Sequence, residues 1–261
     1  MTKSRSNIVG QGPLGQALRT YINAEDPIVF FCVKAFDLSK AILEAHKVWE
    51  PNVPFITLSN GFLPLALSSL YPDLTGRPLR AGMTTMGATL DQDGVLKIYD
   101  EGAVMSWGNM PHASENIPRT PIEQEVLSAH DRWSWRENMN EELQKKWVFN
   151  ATLNTLCGAL RLKTNGNLIN HKSLADEVFN ESVKLAEELW PDLPSLSGER
   201  EVLKKNFWQL VERTSKNENS MMRDVRLGRR TESLFLAGQA VGRRGYEKLK
   251  MYHAVLARLG T

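Results

Sequence analysis

Asn7-Ile8-Val9-Gly10-Gln11-Gly12-Pro13-Leu14-Gly15 places a G-x-G-x-x-G pattern directly after a short apolar run, and Leu14 to Ile22 then reads as helix. In a strand–loop–helix setting the first glycine permits a tight turn. The second lets backbone approach a pyrophosphate, and the third lets helix and strand pack closely. The helix start adds free N–H groups and a positive dipole end. The plain alternative is a glycine-rich turn that holds no ligand. A dinucleotide fingerprint also asks for an acidic ribose reader, or a basic 2′-phosphate reader, about 20 residues further on. Here Ala24-Glu25-Asp26-Pro27 runs straight into Ile28 to Val33, which ends at Lys34 and offers no obvious ribose reader.

Outward from this loop, strands are predicted at Asn7–Gly10, Ile28–Val33 and Phe55–Ser59. Leu79–Leu90, Val95–Tyr99 and Ala103–Trp107 read as hairpin-connected strands, with Asp93-Gly94 and Glu101-Gly102 as turns. From about Asn138 the pattern becomes helical, with helices predicted at 139–160, 171–190, 198–215, 220–242 and 245–259. Ser197, with Glu199 and Glu201 behind it, reads as a helix start. The expectation is an α/β domain over 1–137 followed by an all-α domain over 138–261.

Composition bounds the function. The 261 residues carry 32 basic and 30 acidic side chains, a net charge of +2, so no overall field attracts nucleic acid or an anionic membrane. The basic clusters at Arg226, Arg229, Arg230 and at Arg243, Arg244 read as solvated helix surface. Cys32 and Cys157 lie in apolar stretches, as buried thiols in a reducing compartment would. The histidines (His46, His112, His130, His171, His253) lack metal-ligand spacing. The apolar runs fall short of the roughly 18 residues of a membrane span. Lys3 and Arg5 are followed by the glycine loop rather than by a signal peptide's apolar region. A soluble cytoplasmic protein is expected. The 245–259 stripe can pack on its own domain or form a homodimer contact, and the first is expected.

Lys146, Asn150 and Asn154 recur every four residues on one face of the 139–160 helix, beside apolar Val148, Phe149, Ala151, Leu153 and Leu156. Asparagine is a poor helix former, so two of them in register with a lysine need a reason. A lysine against an apolar wall has its pKa lowered and suits proton donation to a carbonyl oxygen. An exposed polar face is the alternative. A second polar group, Asn217 to Asp224 and then Thr231-Glu232, reads alone as a capped surface helix.

Taken together, these segments resemble the ketopantoate reductase (2-dehydropantoate 2-reductase) family. The likeness spans nearly the whole chain: Gly10-x-Gly12-x-x-Gly15, Val33-Lys34-Ala35, Ser59-Asn60-Gly61, Gly82 to Gly87, the lysine–asparagine helix, Asn165-Gly166, Asn219 to Asp224, and Thr231-Glu232 through Gly238. The resemblance implies a Rossmann domain joined to a helical domain, with NADPH and a 2-oxo acid in the cleft of such enzymes. It implies that Lys146 is the general acid and that Glu232 holds a substrate hydroxyl and orders the lysine. Asn150, Asn154, Asn165 and Ser220 would bind substrate. Gly10, Gln11, Gly12, Pro13, Leu14 and Gly15 would hold the cofactor phosphates, with Lys34 and Asn60 on the nicotinamide ribose side.

One departure stands out. Only seventeen residues, Gln16 to Cys32, separate the loop from the Val33-Lys34-Ala35 strand end, where the family fits about two further strands. A reduced Rossmann-like domain follows from that. If this strand lies beside the first one, either the first helix changes sheet face or a crossover breaks the right-handed rule; otherwise the strand sits elsewhere. The functional expectation is NADPH-dependent reduction of ketopantoate. The alternatives are a reductase of another small 2-oxo acid, or a non-catalytic relative that has lost dinucleotide binding.

Overall fold

A computed structural model describes residues 7–23, 25–67, 70, 74, 76–90, 93–99, 101–110 and 117–260. The readings placed on Lys3, Arg5, Ala24 and His112 lie outside these residues. The chain forms two compact units. One comprises Met1–Ser59 and Leu63–Asn140, the other Asn60–Phe62 and Glu141–Thr261.

The first unit runs β1 (Ile8–Val9), α1 (Pro13–Leu18), β2 (Val29–Phe31), α2 (Ala35–His46), β3 (Phe55–Thr57), α3 (Leu63–Leu67), β4 (Leu79–Thr84), β5 (Gly87–Leu90), β6 (Leu96–Tyr99), β7 (Met105–Asn109), α4 (Pro121–Ser128) and β8 (Trp133–Trp135). A six-stranded sheet has the order β1-β2-β3-β4-β7-β8, with β1 to β4 parallel and β7 antiparallel to β4. Strands β1 to β4 thus stand in chain order. That is the order left when the second and third strands of a 3-2-1-4-5-6 sheet are removed.

Register puts Ile8, Phe30, Ile56 and Arg80 side by side on one face. Leu14 and Leu18 of α1 and Val126 of α4 pack with the three apolar members of that row. Phe31 and Phe55 pack edge to face on the other face, where Arg77 lies 4.1 Å over the Phe55 ring and donates to His46 at the end of α2. The connections through α1 and α2 therefore advance in the same direction across the sheet over opposite faces. They cannot both be right-handed. Of the three arrangements left open by the short first connection, β2 lying elsewhere is excluded by its pairing with β1.

Arg80 is fully buried and its guanidinium makes a two-pronged pair with Glu123 at 2.9 and 3.0 Å. Glu123 also accepts from Trp107 Nε1 and closes a capping box with Thr120. This pair ties β4 to α4 across the sheet face.

Two sequence expectations fail here. The Leu79–Leu90 strand is two strands, and β5 leaves the main sheet to pair, among the described residues, with β6 alone. Asp93-Gly94 lies in that hairpin, with Gly94 at φ 77°. Glu101-Gly102 is not a hairpin turn, because β7 pairs with β4 rather than with β6.

The second unit holds α5 (Met139–Ala159), which begins two residues before it, then α6 (Lys172–Leu189), α7 (Arg200–Arg213), α8 (Ser220–Arg226) and α9 (Glu247–Leu259), with short 3-10 turns at Asn165–His171, Ser197–Glu199, Ser233–Phe235 and Ala237–Ala240. The helix expected over 220–242 stops at Arg226. Gly228 takes φ 61°, and the chain continues as turns to Gly242. Ser197 opens the 3-10 turn Ser197–Glu199, which runs directly into α7 at Arg200, and its N–H and hydroxyl both bond the Glu187 carboxylate. Leu249, Tyr252 and Leu256 of α9 are buried in this unit's own core, as expected of the terminal stripe. No helix of the described residues is long and apolar enough to cross a membrane.

Candidate active site

In the first unit the glycine loop shows why glycine stands where it does. Gly10 has φ 129°, and a Cβ there would stand 2.5 Å from the Cys32 carbonyl oxygen. A Cβ on Gly15 would stand 2.4 Å from the Gly10 carbonyl oxygen. These two let loop, helix and β2 close on one another. Gly12 is different: a Cβ there would meet nothing within 4 Å. That open side is where a pyrophosphate would approach backbone. Gly12 is the N-cap of α1, no side chain caps the helix amides, and Pro13 opens the first turn. Gln11 and Gly12 are exposed and Pro13 and Leu14 half-buried, so the loop fits a phosphate ligand. Lys34 stands as N-cap of α2, just past β2.

In the second unit the expected stripe forms on α5. Trp147, Val148, Ala151, Leu153, Leu156 and Cys157 are buried in the helical core. Lys146 and Asn150 are half-buried and Asn154 is buried. Burial lowers the Lys146 ammonium from 10.5 to about 8, and the Glu232 carboxylate partly offsets that. Glu232 is itself only 4% exposed. It lies on the turn before Ser233–Phe235 rather than on a helix, as the sequence had placed it.

Two buried donors fix this turn. The Phe235 carbonyl accepts from Trp147 Nε1 at 3.0 Å and from Phe62 N–H at 2.8 Å. The Phe62 ring packs edge to face on Trp190, with centroids 4.8 Å apart. Gly61, at φ 97°, makes the approach possible, since a Cβ would stand 2.5 Å from that of Phe235. Asn60 is thereby carried to α5, where its Oδ1 accepts from Asn150 Nδ2 at 3.4 Å. Lys146, Asn150, Asn60 and Glu232 thus gather within one unit.

Ser220 is exposed at the start of α8. Asn219 caps this helix by accepting from Met221 and Met222 N–H, and its side chain lies near enough to the Cys157 thiol to favour the ionised form. Cys157 lies one turn beyond Asn154 on α5, so Ser220 belongs near that end of the stripe. Asn165 is placed differently from a substrate ligand. It is buried, donates to Thr214 Oγ1 at 3.0 Å and accepts from Asn219 Nδ2 at 2.9 Å. One end of its side chain holds the α8 cap residue and the other the Thr214 hydroxyl at the end of α7.

Cys32 and Cys157 are free thiols that burial pushes up to about 12, which suits packing rather than nucleophilic work. Among the described residues no group of three or more His, Cys, Asp or Glu is placed to hold a metal ion. Sequence reasoning missed Phe62, Trp147 and Phe235 as supports of the site. The Asn60-Gly61 pair was the available sign of a chain reversal there.

Residues 138–251 match the family described as "Ketopantoate reductase PanE/ApbA C terminal". A 2-dehydropantoate 2-reductase of Pyrococcus horikoshii is 26% identical over 229 residues, covering 84% of this chain and 69% of that protein. The solved structure of a 2-dehydropantoate 2-reductase from Geobacter metallireducens matches 96% of this chain and 98% of its own, with TM-score 0.73 and 16% identity. D-mandelate dehydrogenase in complex with NADH shares the fold at TM-score 0.71 and 16% identity, over 88% of this chain and 77% of its own.

Proposed function

We propose that the chain is a relative of the ketopantoate reductases that reduces a small 2-oxo acid, 2-dehydropantoate first among them, with NADPH as hydride donor; the match of residues 138–251 to that family's C-terminal half supports this reading. The observation that carries this reading is the half-buried Lys146 beside the buried Glu232, with its ammonium lowered to about 8. A bound reduced nicotinamide supplies the hydride. Lys146 donates a proton to the ketone oxygen as negative charge builds on it, which a group titrating near neutrality does well. Glu232 keeps that ammonium charged at neutral pH and accepts a bond from a substrate hydroxyl. Asn150, Asn154 and Ser220 offer neutral donors and acceptors to the carboxylate and hydroxyl of the 2-oxo acid, while Asn165 holds the cap from which Ser220 projects. In the first unit the open side of Gly12 takes the pyrophosphate, and Lys34 serves the nicotinamide ribose.

The decisive experiment pairs calorimetric titration of NADPH with turnover of ketopantoate for the wild type and Lys146→Ala. The variant is expected to keep NADPH affinity within about threefold while losing roughly a hundredfold or more in kcat. An unchanged rate would remove Lys146 from the chemistry. The missing strands support a second reading, a 2-oxo acid-binding relative without dinucleotide. A folded wild type that binds neither NADPH nor NADH would establish that reading instead.

A further inference from the structure

Among the described residues β1 is the edge of the six-stranded sheet. Its Asn7 and Val9 carbonyls accept from Phe30 and Cys32 N–H of β2. Alternation along a strand then turns the Ile8 and Gly10 carbonyls to the side away from β2. A further strand would satisfy them there. Instead Arg19, the residue that ends α1, donates Nη2 to Ile8 O at 3.0 Å and to Gly10 O at 3.3 Å. Its guanidinium stands where the backbone of the missing strand would run, and it is solvent-exposed.

This position matters for recognition. In a dinucleotide fold the strand next to β1 on that side ends in the group that reads the adenosine ribose, a carboxylate for a free 2′-hydroxyl or an arginine for a 2′-phosphate. Both bonds from Arg19 use Nη2, so Nη1 and Nε remain for a phosphate, in the fork geometry that suits one. Gly10, whose carbonyl Arg19 holds, is the first residue of the glycine loop. We propose that Arg19 replaces the missing strand in two ways: it pins the Gly10 carbonyl, and it reads the 2′-phosphate of NADPH. The proposal rests on the dinucleotide-binding reading above. Arg19 is a specificity and positioning residue here, distant in sequence from the strand end that ordinarily supplies the reader.

The test is calorimetric titration of wild type, Arg19→Gln and Arg19→Lys with NADPH and NADH, and with the adenosine-side fragments 2′-phospho-ADP-ribose and ADP-ribose. Glutamine keeps one donor for the two carbonyls and removes the charge; lysine keeps the charge and loses the fork. The wild type is expected to prefer the 2′-phosphorylated form of each pair. Arg19→Gln should lose roughly tenfold or more in affinity for NADPH and 2′-phospho-ADP-ribose, with NADH and ADP-ribose within about twofold. Arg19→Lys should keep an intermediate preference. Equal losses for both forms would leave Arg19 a backbone prop and overturn the 2′-phosphate assignment, as would no loss at all. A wild type that binds no dinucleotide overturns this proposal together with the reading beneath it. Tight binding that Arg19→Gln leaves untouched overturns this proposal alone. Thermal unfolding of each variant checks that the comparison is between folded proteins.

Discussion

Replacing Glu232 by Gln tests whether a buried carboxylate keeps Lys146 usable as an acid. Two influences act on the lysine: burial pulls its ammonium down from 10.5 to about 8, and the Glu232 carboxylate pulls it up. Removing the carboxylate leaves burial alone, so the ammonium must become more acidic. A neighbouring opposite charge favours the ammonium, so without it the inflection should fall below about 8; about 1 pH unit is the low end of such effects and serves for the magnitude below. At pH 7.5 a lysine titrating at about 8 is roughly three-quarters protonated; one unit lower it is roughly one-quarter protonated, and three units lower it is almost wholly neutral. The rate of ketone reduction at that pH should therefore drop at least about threefold from protonation alone. Loss of a substrate contact from Glu232 would add a factor that is constant with pH, so the two effects separate in a profile of kcat/KM against pH. Wild-type activity should be level below about 8 and fall tenfold per pH unit above it. The Glu232→Gln profile should bend at lower pH and recover toward acid. Carbon-detected titration of the Lys146 side chain reads the same shift without turnover. An inflection that stays in place or moves upward in the variant would refute the reasoning.

Three further outcomes follow from the packing. Gly10→Ala forces a side chain to within 2.5 Å of the Cys32 carbonyl at φ 129°, and urea unfolding should show a loss of about 3 kcal/mol; a loss below about 1 kcal/mol would mean the loop can relax. Glu123→Ala leaves the Arg80 charge buried without its carboxylate and should cost about 3–5 kcal/mol, whereas Glu218→Ala, which breaks the exposed pair with Arg226, should cost less than about 1 kcal/mol; similar losses for both would contradict the burial argument. Asn165→Ala removes the bonds to Thr214 and Asn219 and should cost about 1–3 kcal/mol in chemical unfolding, with KM for the 2-oxo acid raised more than kcat is lowered as the α8 cap loosens. A kcat loss with KM unchanged would count against that role.

The features legible in the sequence were those whose cause is local. The Gly10-x-Gly12-x-x-Gly15 loop could be read because a strand and a helix flank it within a few residues. The Lys146–Asn150–Asn154 stripe could be read because helical spacing alone puts those side chains on one face. What failed depended on distant partners. Nothing in Leu79–Leu90 tells that β4 will pair with β7 while β5 turns away to β6, since the deciding partners come later in the chain. The 220–242 segment has a helical apolar pattern, yet Gly228 adopts φ 61° and the Phe235 carbonyl is held by Trp147 and Phe62, which fix a turn against local preference. β8 escaped notice because Trp133-Ser134-Trp135 is only three residues long and half-buried among charged neighbours. Arg80 could not be recognised as a core residue, because its carboxylate lies 43 residues away.

Residues Asn60–Phe62 also bear on how halves of this protein can be exchanged or inherited. They sit in the N-terminal stretch of sequence yet belong to the helical unit, so the chain passes between units three times, at 59/60, 62/63 and 140/141. A graft beginning at residue 141 would carry Trp190 without its Phe62 ring contact, and α5 without the Asn60 side chain that meets Asn150. A functional chimera between two relatives therefore has to move this tripeptide together with the helices. Recombination at a single junction would leave the acceptor half carrying a plug cut for another core.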